Sequence, residues 1–259
     1  MLLSNAIGRP SVVLVGGWDI AAMPEIPYGA MLSPGRQRKT IWTLRNADVV
    51  IAPSEASRQE TLRWADREVR VIPLGVDTDF FEPPEEKEPL VVTAASISHS
   101  PTIRTKGLDI LFQVARRLPT IQFVVAGRHS PQVMEALRTS AGPNVQLVGW
   151  LERERLRELF RRASIYAQLS AHESFGLALA EAMACGCTPV VSDRGALPEV
   201  VGGVGSIVPY GDVDAATRAI SAGIATGVSH AARNRVAERF QLNRRRDELL
   251  RTLETWYEG

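Results

Sequence analysis

Two acids stand out for what lies between and around them. Glu173 and Glu181 are eight residues apart. From Leu177 to Ala184 the intervening run is built of strong helix formers, which predicts a helix over 177–184. Gly186 fits a C-terminal stop, and 188–191 reads as a short buried strand. Glu181 is flanked by Ala, Leu and Met, so its helix has almost no polar face to carry it. An unpaired buried charge is costly, so this acid needs a partner, either an arginine of the protein or the hydroxyls of a ligand. On spacing alone, an Arg-paired acid on an ordinary crossover helix accounts for it equally well. Gly176 opens the helix and lets backbone approach a ligand closely, where free N–H groups and the helix dipole favour an anion such as phosphate. Lys106 stands at another predicted helix start, over 106–118. A cation there opposes the helix dipole, which favours a role toward an anion over that of a plain surface lysine.

The elements that must position these groups alternate. Strands are predicted over 11–15, 48–52, 69–72, 90–94, 121–126, 145–148, 165–169, 188–191 and 207–209, with helices between most of them. That alternation is the pattern of parallel, doubly wound sheets. The first strand ends in Gly16-Gly17-Trp18-Asp19, at the end where open α/β sheets place ligands. A plain glycine turn with Asp19 as a cap reads equally well. Ser54 is an expected N-cap for a helix to about residue 64. The Pro- and Glu-rich piece over 80–89 marks a domain boundary, and 95–105 is expected to be a polar loop. The Arg/Glu-rich helix over 152–162 has the charge spacing of a solvated face. The last helix carries Leu249, Leu250, Leu253 and Trp256 on one stripe and should dock.

The chain has 259 residues, 45% of them hydrophobic, and a net charge of +1. This balance argues against a dedicated nucleic-acid binder. No apolar run approaches the ~18 residues of a membrane span, and Met1 to Asn5 lacks the regions of a signal peptide. A cytoplasmic protein is expected, with the inner membrane face left open by the basic stretch Arg36-Gln37-Arg38-Lys39 beside Trp42. A solvated face is the plainer reading of that stretch. Cys185 and Cys187 have no second Cys or His pair at zinc spacing, so no metal site is expected and both read as core residues of a reducing compartment.

The wording from Glu173-Ser174-Phe175-Gly176 through Glu181 to Cys185-Gly186-Cys187-Thr188-Pro189 resembles the E-x7-E signature of the retaining glycosyltransferases of family 4. The resemblance runs from about residue 10 to the end and is strongest over 89–226. It implies a GT-B-like fold, two doubly wound parallel-sheet domains with the first truncated. The implied division is 1–82 for a partial acceptor-side domain, 83–89 for a linker, 90–240 for a nucleotide-sugar-binding domain, and 241–259 for a helix crossing back to the first domain. It implies a hexose transferred with retention from a nucleotide diphosphate sugar, bound as substrate with no cofactor, to an acceptor hydroxyl on a lipid, saccharide or small molecule.

By the same resemblance Glu181 holds ribose and Glu173 orients the sugar. Lys106 and the segment Ser174, Phe175, Gly176 and Leu177 meet sugar and diphosphate. Trp150 and Leu151 occupy the loop that receives the base, with ordinary packing as the other reading of Trp150. The family's diphosphate-binding Arg falls near Ser96, within Ser96-Ile97-Ser98, and Arg104 is a substitute for it. Gly17 and Asp19 lie on the acceptor side. Leu74 departs from the family's usual Asn, and Gly16 stands where a His often follows the strand. These departures and the shortened first domain leave two other readings: a non-catalytic nucleotide-sugar-binding module or partner subunit, and a fragment of a longer enzyme. An unpaired sheet edge would call for a partner chain or homo-oligomer.

Overall fold

The computed structural model describes residues 10–97 and 101–257. The amino-terminal stretch read for a leader, and Ser98, lie outside them. The described residues form two parallel sheets. The first has three strands in the order β1 (Val12–Leu14), β2 (Val49–Ala52), β3 (Arg70–Val71). The second has six, in the order β6 (Val145–Gly149), β5 (Gln122–Ala126), β4 (Glu88–Ala94), β7 (Ala163–Gln168), β8 (Thr188–Ser192), β9 (Ser206–Val208). Every strand pairing is parallel. The chain winds outward from β4 in one direction and from β7 in the other. The switch point therefore lies between β4 and β7, and a ligand crevice is expected beyond their carboxyl ends.

Around the first sheet lie α1 (Pro34–Asn46) and α2 (Glu55–Leu62). The second carries α3 (Pro101–Thr105), α4 (Leu108–Arg117), α5 (Pro131–Ser140), α6 (Arg153–Arg162), α7 (Leu177–Ala184), α8 (Leu197–Val201), α9 (Val213–Gly223) and α10 (His230–Arg239). The last element is α11 (Leu242–Tyr257). The helix α3 corrects the reading of 95–105 as a loop throughout. Its Pro101-Thr102 start and short length give no apolar period, so sequence patterning passes over it.

Burial explains the layering. One face of the large sheet packs Val92, Tyr166 and Val191 against Phe160, Leu179, Met183 and Val236. The other packs Val91, Phe123, Ile165 and Val190 against Leu111, Phe112, Leu137 and Ile220. Each such side chain is worth about 1.5–3 kcal/mol on full burial. Cys185 and Cys187 are fully buried in the first of these clusters, where burial pushes the Cys185 thiol up to about 12. Leu249 of α11 packs against Val49, Ile51 and Ile72 of the small sheet. Arg245 of the same helix donates to the carbonyls of Ile72 and Pro73 at 2.8 and 2.6 Å. The carboxyl-terminal helix thus covers one face of the first sheet.

Candidate donor and acceptor site

The crevice at the switch point is where the two sheets meet. Ser54, the N-cap of α2, accepts from Ser57 N at 3.0 Å and donates its hydroxyl to the Ser174 carbonyl at 2.7 Å. Ser174 Oγ in turn donates to the Gly16 carbonyl at 3.1 Å. Glu199 of α8 accepts the N–H groups of Glu55 and Ala56 at the start of α2. These bonds hold the segment before α7 against the first unit.

Gly107 turns the chain from α3 into α4 with φ +65°, and a Cβ there would lie 1.9 Å from the Leu169 carbonyl oxygen. Only glycine permits that approach, which sets the preceding Lys106 beside the end of β7. Lys106 Nζ donates to Glu173 Oε2 at 2.9 Å, and the two side chains are only 26% and 15% exposed. Gln168, the last residue of β7, donates its amide to the same oxygen at 2.7 Å. Glu173 Oε1 has no partner among the described residues. Sequence reasoning did not pick out Gln168. It lies one position inside the predicted strand, and no motif announced it.

Gly176 caps α7 in the left-handed region with φ 92°, and no side chain caps the helix there. The first turn-closing bond is from Ala180 N to the Gly176 carbonyl, so the N–H groups of Leu177 to Leu179 have no intrahelical partner, and Leu177 and Ala178, unlike the fully buried Leu179, are accessible to a ligand. The helix is not buried all round. Leu177 is exposed and Ala178 and Glu181 are partly so, which gives α7 one open strip facing the crevice. No hydrogen bond or ion pair to the Glu181 carboxyl occurs among the described residues, so the Arg-paired alternative does not hold. Burial pushes the carboxyl from 4.5 up to about 7, and Arg153 opposes the shift only through space. Arg153 itself is engaged with Asp77 at 3.4 Å and lies over the Phe80 ring.

Beyond α7 the carboxyl ends of β4, β5 and β6 frame a cavity of about 190 Å³ lined by Ala95, Ser96, Gly127, Trp150, Leu151 and Ala178. It adjoins a larger one of about 580 Å³ lined by Ser96, Arg128, His129, Ser130 and Trp150. Trp150 is 57% exposed, with the Arg128 guanidinium over its ring at 5.2 Å, so it is not core packing. Leu151 packs against the core beside this cavity. Among the described residues neither ring nitrogen of His129 has a partner, although both are buried, and burial pulls its pKa down. Ser96 Oγ accepts from Arg128 N at 3.4 Å.

The Phe175 ring is buried and stacks edge-on against Phe240 at 5.3 Å, so only its backbone remains for a ligand. Arg104 stands on α3, its carbonyl accepting from the Tyr210 hydroxyl at 3.3 Å and its charge felt by Asp109. Asp19 Oδ1 accepts from Gly16 N at 3.0 Å, closing the Gly16–Gly17 turn. No helix among the described residues is long and apolar enough to cross a membrane.

Known proteins share this fold. The family model for glycosyl transferases group 1 matches residues 77–239, and that for Glycosyltransferase Family 4 matches residues 17–80. An alpha-maltose-1-phosphate synthase of Mycolicibacterium smegmatis is 31% identical over 88% of the chain and 65% of its own length. A D-inositol 3-phosphate glycosyltransferase of Xylanimonas cellulosilytica is 32% identical over 74% of the chain and 54% of its own length. The chain thus spans between about half and two thirds of these relatives. Among solved structures, Anabaena HepE in complex with UDP and glucose superposes with a TM-score of 0.83 at 21% identity, over 98% of this chain and 74% of that one.

Proposed function

The chain belongs to the glycosyl transferases of group 1, and on that premise we propose that it transfers a hexosyl group from a nucleoside diphosphate sugar to an acceptor hydroxyl, with retention at the anomeric carbon. Its fold is GT-B-like, with parallel-sheet units facing one crevice. The observation that carries the proposal is the set of unsatisfied groups along that crevice. Among the described residues Glu181 is a half-hidden carboxyl with no protein partner, Glu173 keeps one free oxygen, and the N–H groups of Leu177 and Ala178 stand open at the start of α7.

In this reading the base lies by Trp150 and Leu151, and the ribose hydroxyls donate to Glu181. The diphosphate meets the α7 N-terminus, where the helix dipole favours negative charge. Lys106 has three donors, so it can keep Glu173 and still take a phosphate oxygen. The free oxygen of Glu173 accepts from a hydroxyl of the sugar. As the bond from the anomeric carbon to the phosphate oxygen breaks, the electron pair stays on the leaving diphosphate. Lys106 and the open N–H groups stabilise that growing charge. The acceptor oxygen forms its bond to the anomeric carbon on the face the phosphate leaves, and its proton passes to a phosphate oxygen. No side-chain nucleophile is needed. Because HepE is known with UDP and glucose, UDP-glucose is the first donor to test.

The test is calorimetric titration with UDP-, GDP- and ADP-sugars, followed by detection of glycosylated product with a panel of hydroxylated acceptors. Saturable binding of one donor class with product formation supports the reading. Binding without transfer to any acceptor would return the chain to the partner-subunit reading. No donor binding at all would overturn the proposal.

A further inference from the structure

A separate cavity of about 330 Å³ lies between α2 and the loop that carries Glu173. Its walls include Gln59, Glu60 and Arg63 from the first unit and His172, Glu173 and Gly195 from the second. Glu60 Oε2 lies 2.9 Å from His172 Nε2, and the two side chains are 18% and 11% exposed. The Tyr28 ring leans on the same imidazole at 5.6 Å, so His172 is held from two sides. Glu60 Oε1 has no partner among the described residues, and neither does the exposed Arg63 guanidinium. Among the described residues the cavity therefore presents a free carboxylate oxygen and a free guanidinium beside Glu173, together with the Gln59 amide, whose Nε2 already donates to Glu55 Oε1 at 2.7 Å.

Each sugar hydroxyl is both donor and acceptor, so a ring of hydroxyls satisfies such a mixed set where an acyl chain would leave it unpaired. The volume is near the low end of the roughly 300–1,000 Å³ typical of ligand pockets, suited to a single ring. We propose that this cavity is the acceptor subsite and takes a monosaccharide-sized polyol, with Glu60 accepting from a ring hydroxyl and Arg63 donating at the mouth. The inference rests on the glycosyl-transfer reading above and adds the chemical class of acceptor.

The test is saturation-transfer NMR on the full chain with UDP present, using myo-inositol and methyl α-D-mannopyranoside as probes. Glu60→Gln and Arg63→Ala are compared with the wild type. Saturation is expected to reach at least one polyol, with affinity about tenfold weaker or more in each variant. UDP affinity, read separately by calorimetry, should stay at the wild-type value. Arg63→Ala removes an exposed side chain with no partner among the described residues, so it stays informative even should Glu60→Gln disturb the fold. No saturation of either polyol, or polyol binding indifferent to both variants, overturns the acceptor assignment. Absence of UDP binding counts instead against the donor site, and the polyol result still decides this cavity.

Discussion

Replacing Glu181 by Gln should stabilise the ligand-free protein in mildly alkaline solution and weaken its hold on a donor. Burial lifts this carboxyl from 4.5 to about 7 in the folded chain, against the weak pull of Arg153. Between those values the folded state keeps its proton while the unfolded chain has lost it. Wild-type stability therefore falls as pH rises through that window and levels off above about pH 7. The full penalty corresponds to about 3 kcal/mol. An amide carries no such penalty. The two proteins should melt together near about pH 4.5 and separate by up to about 3 kcal/mol near about pH 8, which is roughly 6–12 °C for a chain of this size. Donor binding should move the other way. A charged hydrogen bond from the ribose is worth about 1.5–3 kcal/mol, so UDP-glucose affinity should drop by about tenfold to a hundredfold in the variant. In the wild type that affinity should climb with pH up to about 7, because the ribose selects the ionised carboxylate. The measurements are thermal melts across the pH range and calorimetry with UDP-glucose. Identical melting of the two proteins in alkaline buffer would refute the burial argument. An unchanged affinity would refute the placement of ribose at Glu181.

Lys106→Ala should lower the transfer rate by about a hundredfold or more while UDP-glucose affinity falls much less, because the charge it stabilises grows only as the bond breaks. Equal losses in rate and affinity, read from steady-state kinetics and calorimetry, would contradict that role. Ser54→Ala removes a fully buried helix cap together with its bond to the Ser174 carbonyl. It should cost about 2 kcal/mol, seen as a fall of roughly 4–8 °C in melting temperature. A shift within a degree would show that the contact between the two units carries no stability.

The strand and helix alternation, and the glycines that punctuate it, make most of the fold legible in the sequence alone. Period and turn chemistry are local properties, and the helix from Leu177 to Ala184 and the strand from Thr188 to Ser192 lie where those properties put them. The sequence by itself also marked Glu181 and Lys106, each a charge in a place where local physics disfavours one, and the wording of the signature marked Glu173. It could not say what satisfies them. That Lys106 pairs with Glu173 depends on Gly107 packing against the Leu169 carbonyl, a contact between segments some sixty residues apart. That Arg153 meets Asp77 and not Glu181 is likewise decided by packing. The Phe175 ring turns into the core against Phe240, although it sits in the middle of the signature. Glu60 and His172 are far apart in the chain, and neither carries a local signal. Only the docking of α2 onto the second unit brings them together, because a pocket between two units is a property of their packing and not of either stretch of sequence.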